Sequence, residues 1–149
     1  MLDEKCLHWS RKSSGKWVGV ALEGQQQALV VDDDPQIRRL LERILSRDHF
    51  AVEEASDGVE ALEKIEQHSF DVILLDLMMP RMDGFEVVRR LQSMAPELTR
   101  RTIVITAFPE KAYEALGKIC KVVSKPFDIM LLRQVVEDCV NGGPQILPC

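Results

Sequence analysis

The stretch Val72-Ile73-Leu74-Leu75 is a run of apolar, partly β-branched residues that stops at the carboxylate of Asp76. A strand with one face in water alternates apolar and polar residues. A run that does not alternate reads as a strand covered on both faces. Covering both faces calls for a parallel sheet between layers of helices. The loop Leu77-Met78-Met79-Pro80-Arg81-Met82-Asp83-Gly84 follows. Asp76 therefore stands where a buried strand leaves its sheet, at the edge where open parallel sheets gather ligands. Taken alone, Asp76 reads equally well as a strand end or cap and as a functional carboxylate.

The same unit recurs along the chain. Ala28-Leu29-Val30-Val31 runs into Asp32-Asp33-Asp34-Pro35. Asp34 suits an N-cap and Pro35 the first helical position. Ile37, Leu40, Leu41, Ile44 and Leu45 then repeat at helical spacing as one apolar stripe. Residues 50–55 form a weaker strand, expected at a sheet edge, and Ser56-Asp57-Gly58 opens a helix buried through Val59, Leu62 and Ile65. Asp83-Gly84 starts a third helix marked by Phe85, Val88 and Leu91, and Met94-Ala95-Pro96 reads as a loop. Thr102-Ile103-Val104-Ile105-Thr106 is a fourth strand, residues 110–117 a short helix, and Lys121-Val122-Val123-Ser124 a last strand before Lys125-Pro126. Asp128 caps a final helix with Leu131, Leu132, Val135, Val136 and Cys139 inside, stopped by Asn141-Gly142-Gly143-Pro144. Strand and helix alternate five times, which predicts an α/β fold with right-handed crossovers.

A chain of 149 residues suits one domain with a full core. Its net charge of -5 speaks against direct nucleic acid binding. Arg38, Arg39, Arg43 and Arg47 cluster, but interleaved with Glu42 on one predicted helix, and read as a solvated face. Cys6, Cys120, Cys139 and Cys149 have no metal-ligand spacing and read as reduced thiols, Cys120 and Cys139 as small core residues. His8, His49 and His68 stand in no motif. No stretch approaches the ~20 apolar residues of a membrane span, and no signal peptide is evident, so a cytoplasmic location is expected. Residues 1–27 read as an N-terminal extension outside the core fold, with a short strand over 17–22 and Trp9 and Trp17 seeking cover. Gly15-Lys16 lacks the rest of a phosphate-loop pattern. Residues 28–141 form the expected domain and 142–149 a loose tail.

The strand ends carry the chemistry: Asp32 and Asp33, Asp76, Thr106, and Lys125. A parallel sheet places all of them on one edge. If the first and third strands are neighbours, three carboxylates meet in one crevice and repel. A hard divalent cation and the Lys125 ammonium would offset that repulsion. Mg²⁺ fits best, since it takes carboxylate, carbonyl, water and phosphate oxygens. These parts suit phosphoryl transfer to Asp76 as nucleophile, with Thr106 and Lys125 holding phosphoryl oxygens.

Four pieces, Val30-Val31-Asp32-Asp33, residues 74–84, Ile105-Thr106-Ala107 and Lys125-Pro126-Phe127, stand in the order and nearly the spacing of one family. Over roughly residues 28–141 the chain resembles the receiver domain of two-component response regulators. The resemblance implies a flavodoxin-like (βα)5 sheet in strand order 2-1-3-4-5. It implies that Asp76 is the phosphoacceptor, receiving its group from a histidine kinase or histidine phosphotransfer protein. It implies Asp33 and Asp76 as direct Mg²⁺ ligands, Asp32 acting through water, and the backbone carbonyl of Met78 as a third protein ligand. Thr106 would be the phosphate-sensing hydroxyl, Lys125 the ion-pairing lysine, and Lys125–Pro126 a cis bond. Two departures stand out. Val122 occupies a position the family often gives to an aromatic residue, and the interval from Thr106 to Lys125 is a few residues short. Both bear on the usual output face rather than on phosphate chemistry.

Two alternatives compete. Asp32-x-Asp34 resembles the first motif of haloacid-dehalogenase-type phosphatases, although Asp34 is already explained as a cap. A pseudo-receiver would keep the fold as a docking module only. A stand-alone receiver without a DNA-binding output domain is expected, acting by protein contact, not an enzyme on external substrates, with a homodimer allowed and no membrane insertion.

Overall fold

The computed structural model describes residues 10–11, 17–18, 25–117 and 121–141. Five parallel strands form the main sheet: β1 (Gln27–Val31), β2 (Ala51–Ala55), β3 (Val72–Asp76), β4 (Thr102–Thr106) and β5 (Lys121–Ser124). Their order across the sheet is β2-β1-β3-β4-β5, as the family resemblance implied. The helices are α1 (Pro35–Arg47), α2 (Gly58–Gln67), α3 (Gly84–Met94), α4 (Pro109–Leu116) and α5 (Ile129–Val140). A short helical turn, Pro96–Thr99, occupies part of the expected loop after α3.

The non-alternating strands are explained by which way successive side chains point. Leu29, Val31, Ile73, Leu75 and Val104 face one core, shared with Ala61 and Leu62 of α2, Val87, Val88 and Leu91 of α3, and Ala112 and Leu116 of α4. Ala28, Val30, Val72, Leu74, Ile103 and Ile105 face the other, shared with Leu41, Ile44 and Leu45 of α1 and Leu132, Val136 and Cys139 of α5. β2, with its glutamates, lies at one edge of the sheet, as expected from its weaker pattern.

Aspartates start four of the helices. Asp34 accepts from the Gln36 N–H at 2.8 Å, Asp57 from Glu60 at 2.9 Å, Asp83 from Glu86 at 2.9 Å, and Asp128 from Met130 at 2.7 Å. Each cap satisfies an N–H that the helix itself leaves open.

The helix stripes are narrower than the sequence spacing predicts. Leu40 and Leu131 are exposed, by 38% and 55%. Both lie one residue before a buried leucine, Leu41 or Leu132, and one helical step turns them off the face that meets the sheet. Val59 and Phe85 are half-buried, and Phe85 packs against the margin of the core that Val87, Val88 and Leu91 enter. In the N-terminal extension, Ser10–Arg11 pairs antiparallel with Trp17–Val18. The rest of the strand expected over 17–22, the surroundings of Trp9, Cys120 and the tail 142–149 lie outside the described residues. Among the described residues no helix is long and apolar enough to cross a membrane.

Candidate functional site

Strand register brings the predicted residues to one level. Val31 pairs with Leu75, Asp76 with Ile105, and Thr106 with Ser124. The residues at or just beyond these positions are Asp32, Asp33, Asp76, Thr106 and Lys125, all on the carboxyl edge of the sheet. Carboxylate oxygens of Asp32, Asp33 and Asp76 lie within 4.8 Å of one another. Asp32 and Asp76 are buried and Asp33 is exposed. The Lys125 ammonium donates to Asp32 Oδ2 at 2.9 Å and stands 3.5 Å from Asp76 Oδ1. Asp32 Oδ1 accepts from the Asp34 N–H at 2.9 Å, so both oxygens of Asp32 are engaged. The Met78 N–H reaches Asp76 Oδ1 only at 3.5 Å, leaving the Asp76 carboxylate the more weakly held of the two buried ones.

Burial, then the neighbouring charge of Asp32, pushes the Asp76 carboxyl up to about 6, against the opposing pull of Lys125 and the Met78 N–H. Burial pulls the Lys125 ammonium down, but the Asp32 and Asp76 carboxylates outweigh it and leave it above its ordinary value. One ammonium does not neutralise three carboxylates. An all-oxygen donor set with excess negative charge is what a small divalent cation such as Mg²⁺ takes. The residues present therefore fit the metal.

Thr106 is fully buried, and its Oγ1 accepts from the Phe108 N–H at 3.0 Å. Its hydroxyl proton remains available to donate. The Lys125 N–H donates to the Thr106 carbonyl at 2.7 Å, tying the ends of β4 and β5 together. The Lys125–Pro126 bond is cis, as the resemblance implied. At the rim, the Met78 and Phe108 side chains are exposed. Below it, α3 begins hard against the site: a Cβ at Gly84 would lie 2.5 Å from the Asp76 carbonyl oxygen. Asp34, the acid/base of the phosphatase alternative, is engaged as the α1 cap.

Sequence reasoning missed two contacts that shape this edge. Arg38, read as part of a solvated face, donates to the Asp32 backbone carbonyl at 2.7 Å and to Glu54 at 3.1 Å. Asp57 and Arg81 form an ion pair between the α2 cap and the β3–α3 loop. Neither has a spacing signal, since each joins residues that only the fold brings together.

Comparison with known proteins places the site in context. The model of the response regulator receiver domain matches residues 28–137. The transcriptional regulatory protein ResD of Bacillus subtilis is 42% identical over 93 residues, covering 62% of this chain and 38% of ResD. The response regulator MprA of Mycobacterium ulcerans is 51% identical over 79 residues, covering 53% of this chain and 33% of MprA. The chain thus spans little more than a third of these relatives' length. Among solved structures, a CheY-like receiver domain protein from Methanospirillum hungatei superposes with a TM-score of 0.73 at 25% identity, covering 80% of this chain and 96% of its own. The response regulator TrrA of Thermotoga maritima, in complex with Mg²⁺ and BeF, superposes with a TM-score of 0.71 at 28% identity, covering 77% of this chain and 99% of its own.

Proposed function

The chain belongs to the response regulator receiver domain family, and from that premise we propose that Asp76 accepts a phosphoryl group from a phosphohistidine in the presence of Mg²⁺. The observation that carries the reading is the convergence of Asp32, Asp33 and Asp76 around the Lys125 ammonium. In the transfer, an Asp76 carboxylate oxygen forms the new bond to phosphorus. The donor's N–P bond breaks, and its electron pair stays on the imidazole. Mg²⁺, when bound, supplies positive charge that offsets the carboxylates and the phosphoryl oxygens.

The chain's own residues do the positioning. Asp33, Asp76 and the Met78 backbone carbonyl would hold the metal. Asp32 acts through water, a role that suits a carboxylate whose two oxygens are already engaged. Lys125, already within 3.5 Å of Asp76, pairs with one phosphoryl oxygen. Thr106 donates its hydroxyl proton to another.

In this reading the chain catalyses only its own phosphorylation and dephosphorylation. Residues 28–141 are the receiver unit, 1–27 an extension outside it and 142–149 a tail. The donor is a histidine kinase or histidine phosphotransfer protein. The acidic balance of -5 favours protein contact over nucleic acid as the receiver's own output, in the cytoplasm.

Intact-mass measurement after incubation with acetyl phosphate tests the reading. One phosphoryl group should appear with Mg²⁺, and none with EDTA or in Asp76→Asn. A docking-only module would take up none in any condition. A phosphatase would turn over substrate in Asp76→Asn and stop in Asp32→Asn.

A further inference from the structure

The loop that carries Met78 is held by a brace outside the site. Within it, the Met82 N–H donates to the Pro80 carbonyl at 2.7 Å, two residues back, and Arg81 between them has φ 64. That pairing marks the rarer, left-handed form of the three-residue turn, strained for any residue with a side chain. Such a conformation persists only where its surroundings over-determine it.

The surroundings here are the start of α2. Arg81 Nε and Nη2 both donate to Asp57 Oδ2, at 2.8 and 2.5 Å. Asp57 is buried, although the Arg81 side chain is 61% exposed. The other Asp57 oxygen caps α2, accepting from the Glu60 N–H at 2.9 Å. Burial alone would raise the Asp57 carboxyl, but the Glu60 N–H and Arg81 outweigh it and hold it below its ordinary value. The Gly58 N–H donates to the Met82 carbonyl at 3.2 Å, and a Cβ at Gly58 would sit 2.7 Å from that oxygen. The far end of the loop closes through the Gly84 N–H on the Leu77 carbonyl at 2.9 Å, next to Asp76 itself. The strained turn is thus clamped to α2 at one end and to the end of β3 at the other.

We infer that the Arg81–Asp57 pair positions the metal-binding loop: by holding the strained turn against α2, it sets Mg²⁺ affinity without touching the metal. The inference rests on the phosphoacceptor reading, in which the Met78 carbonyl is a ligand. Removing groups that orient metal ligands commonly weakens affinity 10–100-fold. A brace acting through backbone belongs at the low end, at about tenfold.

Calorimetric Mg²⁺ titration of Arg81→Ala, Asp57→Asn and the double variant tests the inference, alongside the rate of acetyl phosphate labelling at saturating Mg²⁺. Asp57→Asn keeps a good helix cap while removing the charge. Each single variant should bind Mg²⁺ about tenfold more weakly, with the labelling rate at saturation unchanged. The double variant should be no weaker than Arg81→Ala. Arg81→Gly also loses the pair but relieves the left-handed strain, so it should bind Mg²⁺ more weakly than wild type and more tightly than Arg81→Ala. Variants that melt lower but bind Mg²⁺ within about twofold of wild type would overturn the inference and leave the pair a purely structural contact. Wild type that neither binds Mg²⁺ nor labels would instead sink the phosphoacceptor reading, and this inference with it.

Discussion

Asp76→Asn should stabilise the metal-free protein. The Asp76 carboxyl is pushed from 3.8 to about 6 in the fold by burial and by Asp32. Between those two values the folded chain holds a proton that the unfolded chain has lost. Stability therefore falls as pH rises through that window, and the full penalty is present above it. The shift corresponds to about 3 kcal/mol. Asparagine keeps the shape and cannot ionise, so in EDTA at about pH 8 the variant should be roughly 2–3 kcal/mol more stable. The advantage should vanish as pH falls below about 4, where both proteins carry an uncharged group at this position. Mg²⁺ should narrow the gap from the other side, because it stabilises the protein that binds it better. Urea denaturation followed by circular dichroism, with and without Mg²⁺ across this pH range, reads all three effects. A variant no more stable than wild type in EDTA at about pH 8, or an advantage that grows on acidification, would refute the electrostatic account of the cluster.

Other substitutions probe the same edge. Gly84→Ala drives a Cβ to 2.5 Å from the Asp76 carbonyl oxygen. Thermal melts should report a loss of about 1–3 kcal/mol, accompanied by slower acetyl phosphate labelling because the Asp76 backbone must shift. Met78 and Phe108 lie exposed at the rim, two residues past Asp76 and Thr106, and both are apolar. A role in limiting attack by water on an acyl phosphate at Asp76 predicts that a Met78→Asn, Phe108→Glu variant loses its label faster than the parent. A parent that already loses phosphate faster than that variant contradicts this role.

The strands were legible because their apolar runs have one explanation. Ile73 and Leu75 fill one core while Val72 and Leu74 fill the other, so no position could be polar. The chemistry of the edge was legible for a related reason. A buried run that stops at Asp76 or Thr106 fixes where that side chain goes once the sheet is parallel. The helices were read less well. Leu40 and Leu131 match the apolar spacing yet face solvent, because periodicity marks a stripe and not its width. Arg38 and Arg81 could not be read at all. Arg38 looked like its neighbours on α1, and Arg81 like any turn residue. Their partners, the Asp32 carbonyl and the Asp57 carboxylate, come within reach only after strands and crossovers are in place.

Asp76 is the carboxylate proposed to carry the phosphoryl group. After Mg²⁺-dependent labelling with a phosphohistidine donor, borohydride reduction converts an aspartyl phosphate to homoserine, and peptide mass mapping locates it. Homoserine is expected at position 76 and at neither 32 nor 33. Homoserine at Asp32 or Asp33, or none anywhere in protein that carries the label, would contradict the proposal.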